Sequence, residues 1–196
     1  HPVRGSAVYQ GAQRSATGVV LDGTDDYIDV NLDSFMLGGP LTVEMTVKWT
    51  ALALNIRIFS CTPLAGTDLN AIVLSSSNPK EKARFMVSSG SNAFSQNNAL
   101  TTGKTYHIVG TVTDTQMVLY IDGVPHGNHI GSGLEPAAVP RPQCYIGQYS
   151  TQYFKGLVSS LRIYSGAMTA AQVLADYTTA GTSAIAASRT CAENRL

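Results

Sequence analysis

Hydrophobic and polar positions alternate strictly through "LTVEMTVKW", Leu41 to Trp49. Val43, Met45, Val47 and Trp49 fall on one side, and Thr42, Glu44, Thr46 and Lys48 on the other. A period of two predicts a strand with one buried face. Short apolar runs follow in "RIFSC", "AIVLSS" and "ARFMVSS", separated by turn-rich pieces. "TYHIVGTVTD" and "QMVLYIDG" are joined by only a few residues around Asp114 and Thr115, the spacing of a hairpin. "CYIGQYS" and "GLVSSLRIYS" complete the series. Many strands with turn signals between them, and no alternating βα units, predict an all-β chain folded as an antiparallel sandwich or barrel.

One helix is predicted, in "MTAAQVLADYTTAG". Thr169 and Gln172 have the spacing of a capping box, in which each side chain serves an amide of the other end of the turn. Val173, Leu174 and Tyr177 share one face, and Gly181 is placed to close the helix. The expectation is a short C-terminal lid over one edge of the sandwich. Periodicity is lost after Gly181, so residues 1–180 are taken as one domain and 181–196 as a flexible tail. The stretches "SSGSNAFSQNNALTTG" and "GSGLEPAAVPRPQ" are expected to be long polar loops.

The length of 196 residues suits one domain with a sizeable core. Thirteen basic side chains balance thirteen acidic ones, leaving no basic field for nucleic acid. No apolar run approaches the roughly 20 residues that cross a bilayer, so membrane insertion is not expected. The start, "HPVRGSAVYQ", lacks an apolar h-region, so a mature chain or a domain cut from a longer one is expected. Sparse charge with abundant Ser, Thr, Gly and Ala favours a secreted or cell-surface protein. Cys61, Cys144 and Cys191 form no CxxC and have no nearby His, which argues against zinc. One disulfide with a free thiol, or three free thiols, both fit. A Cys61–Cys144 bond would close a loop of 84 positions and stabilise by roughly 4–5 kcal/mol on the chain-entropy view. The sequence does not set an oligomeric state.

The ordered set "VVLDGTDDYIDV", "LTVEMTVKW", "TYHIVGTVTDTQMVLYIDGV", "CYIGQY" and "FKGLVSSLRIYSGAMTAAQV" resembles the laminin G-like, concanavalin A-like domains, from about Gly18 to Tyr177. The resemblance implies a jelly roll: two curved antiparallel sheets face to face, with loops at the rim. That superfamily, which includes the pentraxins, holds lectin-like modules, adhesion modules and some glycoside hydrolases, so function has to be argued from sites.

"LDGTDDYIDV" puts four aspartates into ten residues, and three readings compete for them. A glycosidase needs two carboxyl groups across the scissile bond. Relatives resembling laminarinases carry them on one strand, as Glu-x-Asp-x-x-Glu. Here Glu44 has Thr42 and Thr46 as its same-face neighbours, and Glu81, Glu135 and Glu193 form no such array. Asp22, Asp25 and Asp26 bracket Gly23 and belong to a turn. Asp-Gly is a strong turn signal and "DYIDV" alternates, which accounts for Asp22 and Asp29 but less well for the adjacent Asp25–Asp26 pair. Calcium would suit a short Asp/Gly-rich loop, with Asp22 and Asp26 as its ligands. The resemblance implies a structural calcium near the sandwich edge, but Ser159 and Ser160 stand where its acid is expected. It also implies a pentraxin-like rim calcium. For that, "GTDLNAIVL" offers Asp68 and Asn70, whereas Tyr149, Ser150 and Thr151 replace the acids after Gln148. The turn reading is favoured and no cofactor is required, with calcium kept open.

Trp49 lies on the apolar face of its strand and is expected in the core. "GQYSTQYFKG" gathers Tyr149, Tyr153 and Phe154 with Gln148 and Gln152 in a predicted rim loop. Aromatic rings stack on pyranose faces while amides and hydroxyls meet sugar hydroxyls. The candidate ligand site is therefore Asp68, Asn70, Gln148, Tyr149 and Tyr153. His107 alternates away from Tyr106 and Ile108 and is expected to face solvent or the concave sheet. His126 and His129 are expected in a solvated loop, a weak metal signal. His1 is the residue copper-dependent polysaccharide monooxygenases use at their N-terminus, but the segment order here is laminin G-like. The expected function is a non-catalytic extracellular module that binds a glycan or protein through rim loops or the concave sheet. The alternatives are a carbohydrate-active enzyme on the same fold, or a structural spacer of a larger surface protein.

Overall fold

The computed structural model describes residues 6–31, 36–63, 68–88 and 90–179. Its strands, in chain order, begin with β1 (Ser6–Gln10), β2 (Gln13–Ser15), β3 (Gly18–Asp22), β4 (Tyr27–Asn31) and β5 (Leu41–Trp49). They continue with β6 (Arg57–Thr62), β7 (Ile72–Ser76), β8 (Ala83–Val87), β9 (Ser91–Phe94), β10 (Thr105–Val112) and β11 (Gln116–Ile121). The last are β12 (Val124–Ile130), β13 (Gln143–Ile146), β14 (Gln148–Tyr149), β15 (Gln152–Tyr153) and β16 (Lys155–Ser165). A helix, α1, begins at residue 170 and runs to 179, the last residue described.

Two seven-stranded antiparallel sheets form the sandwich. One, the front sheet, has the order β1-β4-β13-β6-β7-β8-β9; the other, the back sheet, has the order β12-β11-β10-β5-β16-β3-β2. The alternation of β5 does what the pattern requires. Val43, Met45, Val47 and Trp49 are at most 1% exposed and face Phe59, Ile72, Leu74 and Phe85 of the front sheet in one core. The ring of Phe85 lies where a side chain on residue 110 would sit, and only glycine leaves room: a Cβ on Gly110 would meet Phe85 at 2.4 Å. Trp49 packs edge-on against Phe154 (5.7 Å) and Tyr106 (6.0 Å), as its core assignment expects.

The hairpin expected at Asp114–Thr115 joins β10 and β11, closed by Thr113 N–H to Gln116 O at 2.8 Å. The capping box is present: Gln172 Oε1 accepts from Thr169 N–H at 2.9 Å and Thr169 Oγ1 from Gln172 N–H at 3.3 Å. Cys61 and Cys144 are directly opposed on β6 and β13, face the core and form a disulfide. Cys191, Gly181 and the tail 181–196 lie outside the described residues.

Four expectations need correction. The Ser/Asn-rich stretch is not all loop, because Ser91–Phe94 adds β9 to the edge of the front sheet. His126 and His129 lie on β12, a paired edge strand, not in a loop. α1 does not cap an edge; it lies on the outer face of the back sheet, where Val173 packs with Val109 and Tyr120. Beneath it, His107 is only 5% exposed, so it does not face solvent.

Candidate functional site

The outer face of the front sheet gathers side chains from six strands and a hairpin. Alternation puts Tyr145 of β13 beside Ser60 of β6, and Gln143 beside Thr62, on the face turned away from the core. The parity of β6 then changes, because a bulge lies between Arg57 and Phe59 in its pairing with β7. Arg57 therefore rejoins the outer face, where its Nη1 donates to Ser60 Oγ at 3.0 Å. It continues outward through paired positions, Arg57 to Ser75, Ser75 to Arg84, and Arg84 to Phe94.

Arg57 is the hinge of this face. Only 4% exposed, it donates from Nη2 to Asp68 Oδ1 at 2.6 Å, and its guanidinium lies 3.3 Å from the centre of the Tyr149 ring. A buried arginine held by an acid below an aromatic ring fixes that ring in place. Tyr149 pairs with Gln152 in the β14–β15 hairpin, whose tip, Ser150, has φ of 56°. Gln148 Nε2 donates to Ser150 O at 2.9 Å and steadies the tip.

Beside Tyr149 a depression of about 340 Å³ opens, floored by Ser60, Thr62, Gln143 and Tyr145 and walled by Tyr27, Gln148, Tyr149 and Ser150. Tyr27 meets Tyr145 edge-on at 5.6 Å. Burial, and then the nearby Asp29 carboxylate, raise the Tyr145 phenol above its usual value, so it stays a neutral donor. The lining offers hydroxyls, amides and ring faces, and none of its side chains is a carboxylate.

Of the five residues singled out from the sequence, Gln148 and Tyr149 line the depression, and Asp68 adjoins it through Arg57. Tyr153 pairs with Gln148 across the hairpin but does not line it. Asn70 serves the scaffold: at φ of 56° it turns the chain, and its carbonyl accepts from Arg141 Nε at 2.9 Å. Arg141, fully buried, also donates to the carbonyls of Leu37, Val139 and Ala137, tying these loops to the Asp68 turn. Burial lowers its pKa to about 10. Phe154 fills the core. The residues missed were Tyr27, Arg57, Ser60, Thr62, Gln143 and Tyr145; for Arg57 and Ser60, polar positions inside the apolar run "RIFSC" were the available signal.

The aspartate cluster has a structural explanation. Asp22, Asp25 and Asp26 present oxygens within 4.8 Å of one another. Asp22 Oδ1 accepts from Thr24 N–H at 2.7 Å and from Asp25 N–H at 3.5 Å, and Asp26 Oδ2 accepts from Asp22 N–H at 3.0 Å. The Thr24 amide holds the Asp22 carboxyl below its usual value. Asp26 is buried against Gly11, which leaves room for it: a Cβ there would meet Asp26 Oδ1 at 2.1 Å. The adjacent pair divides its work, with Asp26 turned inward and Asp25 exposed. One oxygen each of Asp22 and Asp26 is thus given to backbone amides, which accounts for the cluster as a turn without a cation.

A second charged group lies on the opposite outer face, under α1. Glu44 is 2% exposed; its Oε1 accepts from Arg162 Nη1 at 2.9 Å and lies 3.1 Å from His107 Nε2, and its Oε2 accepts from Tyr164 O–H at 3.0 Å. Burial alone would raise this carboxyl, but the His107 and Tyr164 hydrogen bonds and the Arg162 charge together hold it below the usual value. Burial and the Glu44 charge push Tyr164 up to about 12. The Tyr177 ring of α1 stacks on His107 at 5.8 Å and closes the group.

The family described as the concanavalin A-like lectin/glucanases superfamily matches residues 22–174. Among curated proteins none matches the chain. Among solved structures, domain 4 of a GH43 extracellular arabinanase from Geobacillus stearothermophilus, in complex with arabinotriose, is similar at 20% identity and a TM-score of 0.64, over 89% of this chain and 82% of that one. The sialidase of Trypanosoma rangeli is similar at 16% identity and a TM-score of 0.69, over 88% of this chain but only 29% of its own. Domains LG4-5 of the mouse laminin alpha1 chain are similar at 21% identity and a TM-score of 0.59, over 74% of this chain and 40% of theirs. At these identities the likeness is one of fold. The chain belongs to the concanavalin A-like lectin/glucanases superfamily.

Proposed function

We propose that this member of the concanavalin A-like lectin/glucanases superfamily is a non-catalytic module that binds a saccharide on the outer face of the front sheet. The observation that carries the reading is the depression beside Tyr149, where phenol rings, hydroxyls and amides converge on about 340 Å³. Saccharide rings present alternating apolar faces and hydroxyl edges, and that lining matches both. The Arg57–Asp68 pair keeps Tyr149 rigid, so less ordering is lost on binding. Against catalysis stands the fate of Glu44, among the described residues the one glutamate on a strand: its buried carboxylate is taken up by three partners under α1. A secreted or cell-surface location follows the same reading. The Cys61–Cys144 disulfide suits an oxidising compartment, and no helix among the described residues is long and apolar enough to cross a membrane. The similar arabinanase domain, whose structure holds arabinotriose, adds support for a saccharide over a protein ligand.

A glycan array with the intact protein, run with calcium and with a chelator, tests this, alongside an assay for new reducing ends. Binding of a defined glycan, weakened in Tyr149→Ala and without cleavage, is the expected result. Cleavage would show an enzyme, and no glycan binding would leave a protein ligand or a spacer role.

A further inference from the structure

The depression is neutral, but the face beyond it is not. Arg84 lies two strands past Arg57, half-buried, with Nε donating to Ser75 Oγ at 3.1 Å. That bond aims the guanidinium and, among the described residues, leaves both terminal nitrogens without a hydrogen bond. No carboxylate among the described residues is bonded to it; Asp68, within electrostatic reach, is given to Arg57. Burial, and then the Arg57 charge, lower the Arg84 pKa, while the Asp68 charge works the other way. Phe94 stands directly opposite Arg84 on β9, 39% exposed, and Lys82 places its Nζ 4.8 Å from the Phe94 ring centre. The group Arg57, Arg84, Lys82 and Asp68 thus leaves an excess of cations on a chain whose net charge is zero.

We propose that the saccharide bound here is acidic, and that Arg84 receives its anionic group, a carboxylate or a sulfate ester, while the sugar ring carrying that group lies against Phe94. This rests on the saccharide reading above and extends the site from the Tyr149 depression across β7 and β8 to the sheet edge. The chemistry favours an anion over a neutral hydroxyl. A fork with two parallel N–H donors matches the two oxygens of a carboxylate or sulfate, and partial burial strengthens the contact. Lys82 adds a second, mobile charge beside the same ring.

The test uses matched glycan pairs that differ only in the anionic group: uronate against carboxyl-reduced, sialylated against asialo, sulfated against desulfated. In at least one pair the acidic member should bind about tenfold more tightly, and that pair tells carboxylate from sulfate. Arg84→Gln should erase the preference by weakening the acidic member about tenfold more than the neutral one. Arg84→Lys should keep part of it, because charge remains without the fork. Raising the salt should narrow the gap. Melting temperatures of both variants confirm folding. If acidic and neutral members bind the native protein equally, and Tyr149→Ala still weakens both, the acidic assignment falls and the saccharide reading stands. If Arg84→Gln and Arg84→Lys both fold and both keep the full preference, Arg84 is not the receptor. If no member of any pair binds, both readings fall.

Discussion

Each outer face of the sandwich carries a cluster of charged and aromatic side chains, yet the two differ in what they leave open. On the back sheet, Glu44 takes bonds from His107, Arg162 and Tyr164 and is roofed by α1 through Tyr177 and Val173. On the front sheet, Arg57 and Asp68 are paired, but the tyrosines line an open depression and the Arg84 fork has no acid bonded to it among the described residues. The composition of the two groups is similar, so residue type alone does not separate scaffold from site. What separates them is whether protein or water completes the hydrogen bonding. A polar group closed by protein stabilises the fold, whereas one left open to water is available to a ligand.

Several changes would break this contrast, beginning with the largest effect. Glu44→Ala strands the buried His107 donor and the half-buried Tyr164 donor, and should cost about 3 kcal/mol in chemical denaturation while leaving glycan binding intact. A loss of binding with unchanged stability would place function on the back face instead. Val173→Ala, which thins the contact of α1 with the sheet, should cost about 2 kcal/mol. If stability does not change, α1 is not what closes the back face.

The same group sets a pH dependence. Glu44 is held below its usual 4.5, so its contribution is full above that value and is lost as pH falls through the lower folded value. The melting temperature should therefore drop on acidification below about pH 4.5, less steeply in Glu44→Gln. Equal slopes would show that other carboxylates carry the acid sensitivity.

On the front face, Tyr149→Ala should weaken glycan binding by about 1 kcal/mol with no change in melting temperature. A fall in melting temperature without a fall in affinity would make Tyr149 another structural ring. The smallest effect is expected at the turn. Asp22→Ala should lower the melting temperature slightly and leave affinity alone, and calcium or a chelator should change neither. A calcium-dependent rise in melting temperature that disappears in Asp22→Ala would show that the aspartates bind a cation after all.

The sequence by itself determined the parts of this protein whose signals are local. The two-residue period of β5, the β10–β11 hairpin, the Thr169–Gln172 cap and the Asp22 turn all follow from side chains within a few positions of one another. Tertiary structure decided the rest. The bulge between Arg57 and Phe59 reverses which face Arg57 joins, and no residue in "RIFSC" announces it. Arg57 meets Asp68 and Tyr149 only because separate segments converge on the outer face of the front sheet. His107 followed its predicted alternation onto the outer face, yet ended buried because α1, from the far end of the chain, settled over it. Alternation is a property of one strand and can be read from it, whereas burial and open hydrogen-bonding capacity depend on what the rest of the chain brings to that strand.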